Sequence, residues 1–226
     1  MNEAGLEDIN EYKHFNDFFT RSLKAGTRPI SESKVVSPVD GVVSQYGNIE
    51  GSMIFQAKGK KFSVEALLAN SPKDNFYTSF ATIYLSPKDY HRIHMPFDGI
   101  LKSMKYIPGN LFSVNKRTVE NIDQVFARNE RLICYFDTEY GEMALVMVGA
   151  IFVGSMETSW EGQVTPPYTK SVKTYDYDSR QIGLSKGEEL GRFNMGSTVI
   201  LILPKGSPEL NLEAGKALKM GQSISN

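Results

Sequence analysis

At 226 residues with 41% hydrophobic content, the chain can bury one full core, and two complete domains are a tight fit. A formal net charge of −1, with both signs spread along the sequence, leaves none of the basic footprint that nucleic acid needs, so nucleic acid is set aside as a partner. No run approaches the ~20 apolar residues of a membrane span, and the first residues show neither the basic nor the apolar part of a signal peptide, so any membrane role has to be peripheral.

In chain order, residues 11–23 place Tyr12, Phe15, Phe18, Phe19 and Leu23 at helical spacing, which predicts an amphipathic helix with an aromatic face. That face packs either on the protein's own core or on lipid. Gly26, Pro29 and several serines then mark a connection. From Val35 onward the text reads as short strands broken by turn residues, at 41–46, 53–57, 77–85, 100–107, 131–137, 143–148 and 198–203. A hairpin is predicted around Thr138-Glu139-Tyr140-Gly141, and a short helix over 63–69 with Ser63 as its N-cap. The single cysteine, Cys134, lies in an apolar run and reads as a buried, inert thiol. No internal repeat or long linker interrupts the chain, and residues 211–226 read as a tail. The economical architecture is a single α+β domain, β-rich and dominated by antiparallel sheet, with the amphipathic helix at its N-terminal end.

Three places carry possible chemistry. His91 and His94 lie in Tyr84-Leu85-Ser86-Pro87-Lys88-Asp89-Tyr90-His91-Arg92-Ile93-His94-Met95-Pro96. Their i, i+3 spacing would share one helical face, so a metal site competes with turn hydrogen bonding, but no HExxH pattern, cysteine cluster or neighbouring third carboxylate ligand supports a metal. Asp40 stands in Ser37-Pro38-Val39-Asp40-Gly41-Val42, where an Asp-Gly step is first of all a turn signal. Ser197 follows Gly196 and leads into an apolar strand, which taken alone is a turn or bulge. Together they supply a hydroxyl nucleophile, an imidazole and a carboxylate. A serine hydrolase would present its serine at a GxSxG elbow, and here those glycine positions hold Met195 and Val199. Attack of the serine on its own upstream peptide bond is the alternative, and a glycine before it leaves that carbonyl open. A β-rich binding module with purely structural histidines is the non-enzymatic reading.

The residues resemble the phosphatidylserine decarboxylase proenzymes, in particular the bacterial type. The resemblance runs through most of the chain: Phe15-Asn16-Asp17-Phe18-Phe19-Thr20-Arg21, the Asp40 and histidine blocks above, Pro108-Gly109-Asn110-Leu111-Phe112-Ser113-Val114-Asn115, Phe126-Ala127-Arg128-Asn129-Glu130-Arg131 and Gly191-Arg192-Phe193-Asn194-Met195-Gly196-Ser197-Thr198. In the family the last block usually reads Leu-Gly-Ser-Thr; Met195 nearly conserves the leucine's volume and polarity, so processing is expected to survive. A hydrophobic region that members often carry ahead of the aromatic helix is not seen here, which bears on the strength of membrane attachment and not on the chemistry.

The resemblance implies that Asp40, His94 and Ser197 form a processing triad, with His94 taking the serine proton and Asp40 orienting the imidazole. Cleavage between Gly196 and Ser197 would leave chains 1–196 and 197–226, the second beginning with a pyruvoyl group made from Ser197, and no metal is implied. It further implies conversion of phosphatidylserine to phosphatidylethanolamine and CO2 through a Schiff base between the substrate amine and the pyruvoyl, with His91 as the acid that returns a proton to the α-carbon. Ser113 is a candidate for holding the lipid phosphate. A homodimer, placed peripherally on the cytoplasmic face of the cell membrane, completes what the family implies, and lipid contact then gains over core packing for the aromatic helix.

Overall fold

The computed structural model describes residues 2–72, 76–151, 155–194 and 198–226. Strand accounts for 42% of the chain and helix for 11%, so sheets carry the core. The first strands are β1 (Gly41–Asn48), β2 (Met53–Ala57), β3 (Lys60–Ser63), β4 (Tyr77–Tyr84) and β5 (Arg92–His94). They are followed by β6 (Gly99–Ile107), β7 (Arg131–Thr138), β8 (Gly141–Val148), β9 (Met156–Thr158) and β10 (Gly162–Thr165). The last are β11 (Lys173–Asp176), β12 (Gly183–Leu184), β13 (Glu189–Phe193), β14 (Thr198–Pro204) and β15 (Ala217–Leu218).

A nine-stranded sheet runs β11-β6-β7-β8-β14-β4-β1-β15, with β12 also on β6; β10-β9-β13-β5 form a second sheet and β2-β3 a hairpin. The pairings are antiparallel. β14 sits inside the large sheet between β8 and β4 and is buried along its whole length. Its Val199-Ile200-Leu201-Ile202-Leu203 run is apolar on both faces because neither face meets water, and each such side chain contributes roughly 1.5–3 kcal/mol by burial. This is a single α+β domain dominated by antiparallel sheet, as the sequence predicts.

The seven predicted strands all form, with ends moved by at most two residues. The hairpin β7–β8 turns at Glu139-Tyr140, closed by the Thr138–Gly141 pair, and Gly141 takes a φ of 110° that a side chain would resist. Ser63 caps α2 (Val64–Leu68) through its hydroxyl, which accepts from the Ala66 amide. Cys134 is fully buried, and burial alone pushes its thiol well above the ordinary range.

Two expectations are corrected. The N-terminal helix α1 covers only Phe15–Phe19, capped by His14 and stopped at Thr20, whose hydroxyl donates back to the Asn16 carbonyl. Leu23 leaves the helical face to bridge Ala4, so local periodicity is overridden by pairing with the chain start. Residues 211–226 are no tail. The Ser37 amide donates to the Gln222 carbonyl, Gly221 donates back to Ser37, and Ile224 donates to Val35; Ile224 is fully buried. Burial of Leu212, Leu218, Met220 and Ile224, together with these hydrogen bonds, acts against the freedom that the segment's backbone loses.

Candidate active site

His91 and His94 belong to the approach to β5 and to β5 itself, not to a helix. Three residues apart in extended chain, they cannot share the face that a helical i, i+3 pair would. Among the described residues no group of three or more His, Cys, Asp or Glu stands together to hold a metal ion.

Both rings are buried and both take the same tautomer. His91 Nδ1 lies 2.8 Å from the Asp89 carbonyl and His94 Nδ1 lies 2.8 Å from the Gly187 carbonyl. A carbonyl only accepts, so each Nδ1 carries the proton and each Nε2 presents a lone pair. On His94 that lone pair accepts from the Tyr90 hydroxyl at 3.0 Å. On His91 the buried Nε2 has no partner among the described residues. Burial is the first cause that lowers both imidazoles, His91 to about 4; the Asp89 carbonyl and, for both, the Asp40 charge oppose it. Both are therefore neutral near pH 7. Phe19 of α1 stacks on His91 with ring centroids 4.1 Å apart, so the buried half of the aromatic helix face covers this imidazole.

Asp40 immediately precedes β1, where Gly41 is required: a Cβ there would lie 2.6 Å from the Tyr84 carbonyl oxygen of β4. The carboxylate accepts from Arg28 Nε at 3.0 Å, Arg28 NH2 at 2.6 Å, Lys219 Nζ at 3.0 Å and the Met220 amide at 2.8 Å. Burial works to raise its pKa, but the Arg28 hydrogen bonds, the Met220 amide and Lys219 outweigh it and hold the carboxyl below its usual range. Four donors use up what a carboxylate can accept. Asp40 accordingly makes no hydrogen bond to His94; the orienting contact expected of it is made by Gly187. The carboxylate acts on both imidazoles through its field, and the His94 amide donates to the Pro38 carbonyl two residues away from it. A cavity of about 560 Å³ is lined by Asp40 and Tyr90 together with Arg21, Arg28, Lys88 and Lys219.

Gly196 and Ser197 lie outside the described residues. The chain on either side is held in different sheets. Before them, the Phe193 amide at the end of β13 donates to the His91 carbonyl at 3.1 Å, and Asn194 donates to the Ser155 hydroxyl. After them, Thr198 opens β14 opposite Tyr84 and Val148. Thr198 Oγ1 is buried without a partner among the described residues. Ser113 makes a local turn, its hydroxyl accepting from the Asn115 amide at 3.4 Å, and Asn115 in turn caps α3 (Lys116–Asn121).

Sequence reasoning did not single out Arg28, Lys219 or Tyr90 as members of the site. Tyr90 stood inside the histidine block, four residues before His94, and that adjacency was the only signal. Neutral imidazoles held out of water, one with an open lone pair, are equipment for moving protons, and the class that this fold and site define is an enzyme working by acid–base chemistry. The family model described as phosphatidylserine decarboxylase matches residues 15–226. A phosphatidylserine decarboxylase proenzyme of Francisella philomiragia subsp. philomiragia is 54% identical over 211 residues, 92% of this chain and 75% of that protein. Another, of Francisella tularensis subsp. novicida, is 57% identical over 204 residues, 88% of this chain and 72% of that protein. The chain belongs to the phosphatidylserine decarboxylase family, a family of carboxy-lyases.

Proposed function

We propose that this chain cuts itself between Gly196 and Ser197 and, with a pyruvoyl group left at residue 197, decarboxylates phosphatidylserine to phosphatidylethanolamine and CO2. The observation that carries the reading is the His91 residue. Its carbonyl ties down Phe193, three residues ahead of Gly196, while its ring offers a buried Nε2 that has no partner among the described residues. Thr198, next after residue 197, adds a buried Oγ1 without a partner among the described residues, which supports a polar group formed beside it. When present, the pyruvoyl supplies an electron sink for the electrons released with CO2.

The chain's own residues divide the proton work. His94 accepts the Ser197 proton during processing, its Nδ1–H fixed on Gly187 and its charged form favoured by the field of Asp40. His91 serves decarboxylation: its Nε2 lone pair takes a proton and then gives it to the substrate's α-carbon, as a low-pKa imidazole readily does. Phe19 over the ring keeps water from that proton. Ser113 is kept as a holder of the lipid phosphate, which requires its hydroxyl to leave the Asn115 amide.

Leu6, Ile9 and Phe15 are large apolar side chains exposed near the N-terminal end, Phe15 at 65%. They support a peripheral seat on the membrane interface, which this reading puts on the cytoplasmic face, and no helix among the described residues is long and apolar enough to cross a membrane. The homodimer stays part of this reading; exposed Tyr168 and Val172, ahead of the edge strand β11, support it.

Denaturing intact-mass measurement on freshly purified protein tests the proposal. Two chains, ending at Gly196 and beginning with a pyruvoyl at 197, are expected, and Ser197→Ala is expected to stay one inactive chain. A wild-type chain that remains whole after long incubation would refute it.

A further inference from the structure

The face of the large sheet that carries the Thr198 side chain also carries a cavity that the proton chemistry does not use. Val42 of β1 stands opposite Tyr84 of β4, and Tyr84 stands opposite Thr198 of β14. Directly opposed residues of antiparallel strands send their side chains to one face, so the three form a row, and two strand spacings put Val42 roughly 10 Å from Thr198. A cavity of about 260 Å³ opens on this row, lined chiefly by Val42, Ala57, Tyr84, Val114 and Val119. Val42 is 37% exposed although β1 is an inner strand.

The walls are fixed by the protein's own hydrogen bonds. Gln56, fully buried, donates to the Val119 and Ile122 carbonyls at 2.7 Å each and accepts from the Val125 amide, which pins α3 over the cavity. Asn129, also fully buried, accepts from the Phe112 amide and donates to the Phe112 carbonyl, which fixes the chain two residues before Val114. At the rim α3 begins with exposed Lys116. Glu120, one turn further on, is paired with Lys58 at 2.8 Å. Lys116 reaches Glu120 only through its field, and its ammonium makes no ion pair or hydrogen bond among the described residues.

We propose that this cavity receives an acyl chain of the phospholipid substrate, with Lys116 facing the lipid phosphate, and thereby sets the preference for chain length. This rests on the reading that the chain decarboxylates phosphatidylserine. The occupant follows from the walls: aliphatic side chains and one phenol ring inside, and one unpaired cation at the rim, suit a hydrocarbon tail joined to an anion. A headgroup without a tail would leave the apolar walls unused. The separation along the row leaves room for the headgroup between the ester end of the chain and Thr198.

Calorimetric titration of the full chain with hexanoyl, octanoyl and decanoyl monoacyl phosphatidylserine, below their micelle concentrations and without vesicles, reads the cavity apart from any membrane seat. Affinity is expected to rise about fourfold for each methylene taken in, the worth of a buried CH2. Val42→Trp, which fills the cavity from an exposed position, is expected to flatten that rise, and Lys116→Gln to weaken every member of the series by a similar factor. A flat series in the wild type, or a rise in Val42→Trp as steep as in the wild type, overturns the proposal; unchanged affinity in Lys116→Gln overturns the place given to the phosphate. If Val42→Trp fails to fold, Ala214→Trp, on the exposed loop that lines the same cavity, is judged by the same slope. CO2 release from the same lipids separates the two readings. Binding that rises with chain length but yields no CO2 supports the cavity and refutes the decarboxylase reading, whereas CO2 release with a flat binding series refutes the cavity alone.

Discussion

His91 sits beyond the reach of water with its one open nitrogen unprotonated, and both its chemistry and a stability cost follow from that. In the folded chain its pKa is about 4 against an ordinary 6.5, lowered first by burial. As pH falls from about 6.5 toward about 4, the unfolded chain takes up a proton that the folded one refuses. Stability from this group is therefore full above 6.5 and is lost on the way down, by up to about 3 kcal/mol. His94 adds to the loss with the same sign. The urea midpoint is expected to drop more between pH 7 and pH 4.5 for the wild type than for His91→Gln; equal drops would show that the ring is hydrated. For the chemistry, His91→Ala is expected to cleave itself normally yet decarboxylate ~10²–10⁴-fold more slowly, which assays of processing and of CO2 release separate.

The element that changes most between sequence and structure is α1. Its aromatic residues do not form one stripe with one job. Phe19 is inside, stacked on His91, while Phe15 faces solvent. Phe15→Asp is expected to weaken liposome binding at unchanged folding. Phe19→Ala removes a buried ring and is expected to cost ~3–5 kcal/mol, as large core truncations do, and to slow decarboxylation with it. Flotation with vesicles and a melting curve distinguish the two; a stable Phe19→Ala would mean that the ring is not part of the core. β13 and β14 show the same division on either side of the proposed cleavage point, since the chain enters from one sheet and leaves in another.

For the whole molecule, cleavage after Gly196 would free a 30-residue piece only in the covalent sense. β14 stays between β8 and β4, Ile224 stays buried, and Lys219 and Met220 stay on Asp40, whose buried charge would otherwise be left with Arg28 alone. Lys219 is half exposed and screened by water, so its ion pair and the Met220 hydrogen bond add modestly to the larger hold, which is the strand's apolar burial. The two chains are expected to co-elute as one species under native conditions and to part only in denaturant; separation on a native sizing column would contradict the role given to β14 and Asp40.

What the sequence determined by itself was what local chemistry encodes. Alternation and apolar runs gave the strands, Ser63 its cap, Thr138 to Gly141 the hairpin, and the blocks around Asp40, His91, His94 and Ser197 the family. What only the tertiary structure decided was partnership across long separations. Arg28, Asp40 and Lys219 meet from positions up to 191 residues apart, and neither spacing nor propensity encodes such a meeting. It also decided which nitrogen of each histidine carries the proton, because that depends on carbonyls at Asp89 and Gly187 placed by the fold. The short α1 and the folded C-terminal segment were hidden for the same reason: the energy that sets them is burial against residues far away in the chain, and burial exists only once the chain has folded.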